Sequence, residues 1–323
     1  MKNKLIFFAK CILAALPFLA VIAFTFACPM AYMDSEYPKR HYIRETVDDD
    51  TDYDTLILGD SRAMADLMPA GFPDSCVNLS AGGATAVESF YVLSEYLQDH
   101  KAPENCLILF APFHYSYMDN FKTRTAYFND LSILQMAEVR REDRKCGAES
   151  VEDVTFTDLV SYRLRLPNAY LPALLNARFT GRYGDNAASL ANLHEAHGYA
   201  PFGTADGSEE LNYETSYEAL RETGDFALIG IYMRRIIELC EENGIKAYVL
   251  QAPMNEASYE KLQNGFVKGY ALYMQSFADL YPGITVEPEI PCYDNAYFGD
   301  SSHLNAAGAE KFTDEVVTKY LTH

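Results

Sequence analysis

Leu56-Ile57-Leu58-Gly59-Asp60-Ser61-Arg62 carries three aliphatic residues straight into a glycine and then a serine set between charges. A short, unbroken apolar run suits a strand buried on both faces, as the strands of parallel sheets are. Gly59 ends the run and puts Ser61 at the carboxyl end of the strand, the edge where open α/β sheets bind ligands. The same place suits a serine that caps a helix, so the stretch alone leaves both roles open.

On both sides of it, short apolar runs bounded by turn residues alternate with stretches whose apolar residues recur every three or four positions. Strands are expected at 55–58, 77–79, 106–111, 247–251 and 285–286, and helices over 85–99, 226–243, 256–280 and 305–321. The alternation predicts an α/β fold, a three-layer α/β/α, doubly wound, flavodoxin-like parallel sheet of about five strands. Residues 113–225 exceed an ordinary crossover. They carry Leu166-Pro167 and Leu171-Pro172 breaks and turns around Gly181, Gly184 and Gly203, which marks a cap inserted into the sheet domain.

The chain has 323 residues, 49% of them apolar, enough for one sizeable core. Its 26 Lys+Arg against 46 Asp+Glu give a net charge of -20, which leaves no basic surface for a phosphate backbone and excludes nucleic acid as a partner. Seven cysteines, at 11, 28, 76, 106, 146, 240 and 292, show no CxxC spacing and fit neither a zinc site nor a dense disulfide framework. His194 and His197 lie three apart but lack a further ligand, so no metal and no cofactor is expected.

Lys2, Lys4 and Lys10 precede an apolar run from Cys11 to Tyr32, close to the ~20 residues that cross a bilayer as a helix. Residues 1–33 are therefore expected as a membrane anchor, 34–52 as a polar juxtamembrane linker outside the core, and 53–323 as the folded domain. Basic residues before the run and Glu45, Asp48, Asp49 and Asp50 after it predict a single pass through the cytoplasmic membrane with the domain outside. A cleavable signal peptide, with Phe26-Ala27-Cys28 near the cut, is the competing reading, and it leaves the domain on the same side.

Towards the other end, Phe298-Gly299-Asp300-Ser301-Ser302-His303-Leu304-Asn305 sets a carboxylate three residues before a histidine, ahead of the last predicted helix. Such a loop can present both side chains to one pocket. The acid would then fix the imidazole tautomer while the imidazole takes the proton of Ser61, the division of labour a catalytic triad needs.

Gly59-Asp60-Ser61 resembles the first sequence block of the SGNH/GDSL hydrolase superfamily, and Asp300-Ser301-Ser302-His303 with Gly308 resembles its last. The resemblance implies Ser61 as nucleophile, with Asp300 and His303 completing the triad. Asn78-Leu79-Ser80-Ala81-Gly82-Gly83 is similar to the second block. It implies that Gly82 or Gly83 donates to an oxyanion together with the Ser61 N–H, a place where glycine lets backbone approach closely. The third block departs. Leu109-Phe110-Ala111-Pro112-Phe113-His114 stands where the family has Gly-x-Asn-Asp, so the expected asparagine donor is missing.

Together with the anchor, this pattern is similar to the membrane-bound branch that includes D-alanyl transfer proteins and alginate O-acetyltransferase-like proteins. The likeness implies an esterase or O-acyltransferase working on a cell-envelope glycan or acylated polymer, beside a multipass membrane O-acyltransferase. Arg62 and His114 are further candidates for substrate contact, the plainer role for Arg62 being a structural ion pair. The alternative function is a catalytically weak glycan-binding or assembly factor that keeps the sheet and not the chemistry.

Overall fold

In the computed structural model, residues 2–118, 121–148, 150–178, 181–220, 222 and 224–322 are described. Helix α1 (Lys2–Ala27) leads into a single 3₁₀ turn at Pro29–Ala31 and then α2 (Tyr37–Asp48). There follow β1 (Thr55–Gly59), α3 (Ser61–Asp66), β2 (Cys76–Asn78), α4 (Ala86–Asp99) and β3 (Asn105–Phe110). The long insertion then contributes α5 (Ile133–Cys146), α6 (Phe156–Arg163), α7 (Leu171–Ala177) and α8 (Arg182–Glu195). The chain returns through α9 (Gly224–Glu242), β4 (Lys246–Gln251), β5 (Met254–Asn255), α10 (Glu256–Tyr259) and α11 (Asn264–Leu280). It closes with β6 (Thr285–Val286), β7 (Cys292–Tyr293) and α12 (Ala306–Tyr320).

Five strands form one parallel sheet in the order β2-β1-β3-β4-β6. Their side chains alternate between two cores, because successive residues of a strand point to opposite faces. Leu56, Leu58, Val77, Ile108 and Val249 share one core with residues of α2, α4, α9 and α11. Ile57, Leu107, Leu109 and Leu250 share the other with Ala63 of α3 and Phe312 and Val316 of α12. All five expected strands are present to within a residue at either end. The two-residue strands β5 and β7 pair separately, and the helix expected over 256–280 is two helices, α10 and α11.

Two expectations near the amino terminus are corrected. The stretch long and apolar enough to cross a membrane is Lys10–Ala27, almost none of it buried against the domain. It stops short of Tyr32 because Pro29 cannot continue the helix, and Tyr32 and Met33 are buried in the main core. Residues 34–52 are also no polar linker. Most of them form α2, whose Tyr37, Tyr42, Ile43 and Val47 are buried in the same core. Two of its charges, Lys39 and Arg40, are buried as well, each with partners. Lys39 Nζ donates to the carbonyls of Asn78 and Gly198, while Arg40 donates to the Gly82 carbonyl at 2.8 Å and pairs with Asp130.

Candidate active site

Ser61 opens α3 at the carboxyl edge of β1, and Asp60 caps the helix, its Oδ1 accepting from the Arg62 N–H at 2.9 Å. The turn needs glycine before it: a Cβ on Gly59 would stand 1.9 Å from the Leu109 carbonyl oxygen of β3. The serine therefore leaves the strand pressed against its central neighbour, a rigid place for a reacting group.

The Asp300–His303 loop reaches Ser61 from the far end of the sequence. It is pinned by the buried side chains of Phe298 and Leu304, whose backbones bridge, and by Leu304 N–H donating to Asp66 Oδ1 at 2.9 Å. The second bond ties the loop to the helix that carries the serine. His303 Nε2 lies 2.9 Å from Ser61 Oγ, and His303 Nδ1 lies 2.9 and 3.0 Å from the two Asp300 oxygens. With Nδ1–H held by the carboxylate, Nε2 is left as an acceptor for the serine proton. Burial pushes the Asp300 carboxyl up, but the His303 ring and the Ser302 and His303 N–H groups outweigh it and hold Asp300 below the usual carboxylate range. All three residues picked from the sequence thus meet in one hydrogen-bonded chain.

The Gly82-Gly83 turn is stitched to the serine loop by the Ala81 N–H, which donates to the Gly59 carbonyl at 3.1 Å. Gly83 has φ +69, a left-handed conformation that favours glycine, and an added Cβ would meet Arg124 Cδ at 2.7 Å. Glu36 Oε2 stands as close to the Cβ position of Gly82, at 2.6 Å. Among the described residues, no acceptor bonds the Gly82 or Gly83 N–H.

His114 and Arg62 are placed otherwise than as open substrate contacts. His114 Nδ1 bonds Asp60 Oδ2, which also accepts from the Ala111 N–H at 2.7 Å. Both partners are buried, and His114 Nε2 has no hydrogen-bond partner among the described residues. Burial raises the Asp60 carboxyl, yet the His114 contact and the Arg62 charge bring it below its ordinary value. Arg62 is buried against Glu214, 2.8 Å away and fully enclosed. That is the structural ion pair, formed because Glu214 of the insertion reaches the back of α3.

Other parts of the insertion reach the site too. The Phe202 ring stacks on His303 with centroids 4.5 Å apart, and Gly203 packs directly on the backbone of Gly299 and Asp300. Phe202 also lines a groove of about 230 Å³ with Glu36, Lys39, Met64, Leu193 and Pro201. The sequence offered no signal for Phe202 or Glu214, since neither lies in a motif and both meet the site only through the fold. His194 stands at the surface, 3.2 Å from Glu45.

No family model matches the chain, and no curated protein matches it.

Proposed function

We propose that this chain is a serine esterase or O-acyltransferase of the SGNH type, anchored by Lys10–Ala27 in the cytoplasmic membrane with its catalytic domain outside. The finer architecture we assign is the doubly wound, flavodoxin-like one, supported by a strand order that, renumbered along the sheet, runs 2-1-3-4-5. The observation that carries the reading is the Ser61–His303–Asp300 chain, with 2.9 Å from His303 Nε2 to Ser61 Oγ.

In the proposed reaction Ser61 Oγ attacks the acyl carbonyl as His303 Nε2 takes its proton. The negative charge forming on the carbonyl oxygen is met by the Ser61 N–H and the N–H groups of Gly82 and Gly83. Collapse breaks the ester bond, and His303 returns the proton to the departing alcohol. Water or an acceptor hydroxyl, deprotonated by His303, then attacks the acyl-serine and frees Ser61. A groove reaches the site through Phe202, which stacks on His303, and a cell-envelope glycan, with a multipass membrane O-acyltransferase as partner, is the substrate class we assign.

The full chain in membranes should label with a fluorophosphonate at Ser61, and Ser61→Ala should abolish labelling without changing its melting temperature. Labelling that persists in Ser61→Ala, or its absence from folded wild-type protein, would overturn the reading in favour of a glycan-binding or assembly factor.

A further inference from the structure

Resting on the anchored reading proposed above, we infer that α7 and the turn before it form a second membrane contact, which lies on the bilayer surface beside the point where α1 leaves it. The sequence marks this segment. Between Asp158 and Asp185 there is no acidic residue, while Arg163, Arg165, Arg178 and Arg182 are present, in a chain whose net charge is -20. Basic and apolar residues combined in one short segment are what binds an anionic lipid surface, the apolar side chains entering the headgroup boundary and the arginines staying at its level.

The fold puts this segment at the exit of α1. Arg165, at φ +48, donates to the carbonyl of Phe26 in the last turn of α1 at 3.0 Å. The Tyr170 ring meets the edge of Tyr32 at 5.6 Å, and the Tyr32 hydroxyl donates to the Thr25 carbonyl at 2.6 Å. Asn186 of α8 closes the joint by donating to the carbonyls of Met30 and Met33. The end of α1 is therefore fastened to the insertion, and a bilayer around α1 would run up against it.

The side of α7 turned away from the core carries two exposed leucines beside Asn176. Ala173, Leu174 and Ala177 pack against the main core, whereas Leu171 and Leu175, four residues apart and so on one helix face, are 51% and 56% exposed. Leu164, at the end of α6, is 49% exposed. Continuity with α1 and the local positive charge select the lipid surface as the occupant of this face. Two attachments, one spanning and one lying flat, would fix the tilt of the domain and hold the groove at Ser35, Glu36 and Phe202 at a set height above the lipid.

The chain contains no tryptophan, so each single introduced tryptophan reports its own position. Full-length Leu171→Trp, Leu175→Trp, Phe18→Trp and Leu272→Trp variants would be reconstituted in vesicles of phosphatidylglycerol and phosphatidylcholine with brominated acyl chains. Phe18 lies in α1, and Leu272 is exposed on α11. Emission at Phe18→Trp, Leu171→Trp and Leu175→Trp should be largely lost to bromine quenching, and emission at Leu272→Trp should be retained. If Phe18→Trp is quenched while both α7 positions behave like Leu272→Trp, the docking is wrong and the face is left to a protein partner. If Phe18→Trp is itself unquenched, the anchor fails and the docking with it.

Discussion

Two aspartate–histidine pairs flank Ser61, made of the same groups with opposite fates. In Asp300–His303 the second ring nitrogen lies 2.9 Å from Ser61 Oγ and the carboxylate is a third exposed, at 32%. In Asp60–His114 the carboxylate is fully enclosed and the second ring nitrogen is buried with no partner among the described residues. Both carboxyls are held below their usual range, chiefly by the histidine each contacts after burial has raised them. On the proposed function, what separates a proton relay from a structural bolt is where the distal imidazole nitrogen goes, and that follows from the loop. One pair rides on a loop aimed at Ser61, and the other locks the Asp60 cap before Ser61 to the end of β3.

The comparison breaks first at His303. On the proposed function, His303→Ala should lower kcat for a small acetyl ester by about 10⁶-fold, while Asp300→Asn should cost about 10⁴-fold and leave a slow residual reaction. The difference arises because the second variant keeps the base in a poorly held tautomer. Steady-state turnover of the full chain in detergent measures both. Equal losses in the two variants would show that Asp300 does more than orient the ring.

His114→Ala should act on stability before rate. It leaves the Asp60 carboxylate buried without its partner, a loss that typically costs about 3–5 kcal/mol, read from denaturant unfolding. For the protein that remains folded, a fall in kcat of less than about tenfold fits a bolt. A fall of about 10²–10³ with little loss of stability is the signature of a missing transition-state donor, and would move His114 into the catalytic machinery in place of the absent asparagine.

The contrast also explains what could be read in advance. Strand ends and the meeting of Ser61, His303 and Asp300 were legible because a buried strand forces an unbroken apolar run, and the two motifs lie at its carboxyl end and ahead of the last helix. His114 was visible as a residue but its partner was not: Asp60 lies 54 positions away and joins it only because β1 and β3 are neighbours. Helix α2 was misread for a related reason. Its Lys39 and Arg40 look solvated in sequence, yet the carbonyls of Asn78, Gly82 and Gly198 accept from them inside the protein, and no local pattern announces acceptors so remote. Strands β5 and β7 are two residues each, too short to show a period.

A third carboxylate beside Ser61 has no histidine at all and gives the smallest test. Asp66 is fully buried, its Oδ1 accepts from the Leu304 N–H at 2.9 Å, and its Oδ2 has no partner among the described residues. Burial pushes this carboxyl well above its usual range, with the Leu304 N–H and Arg62 only partly opposing it. The folded protein therefore holds a proton here that the unfolded chain releases in the ordinary carboxylate range. The stability tied to that proton is complete below that range and is lost as pH rises towards the folded value. Asp66→Asn keeps an oxygen for Leu304 and has no charge to bury. It should match the wild type in acid and exceed it by a margin that grows as pH rises towards neutrality. Melting temperatures of both proteins from about pH 4 upward to about pH 8 would show the curves parting as pH rises. Curves that instead part in the other direction, with Asp66→Asn the weaker at neutral pH, would mean that Arg62 keeps Asp66 ionised and that it belongs with the two paired carboxylates.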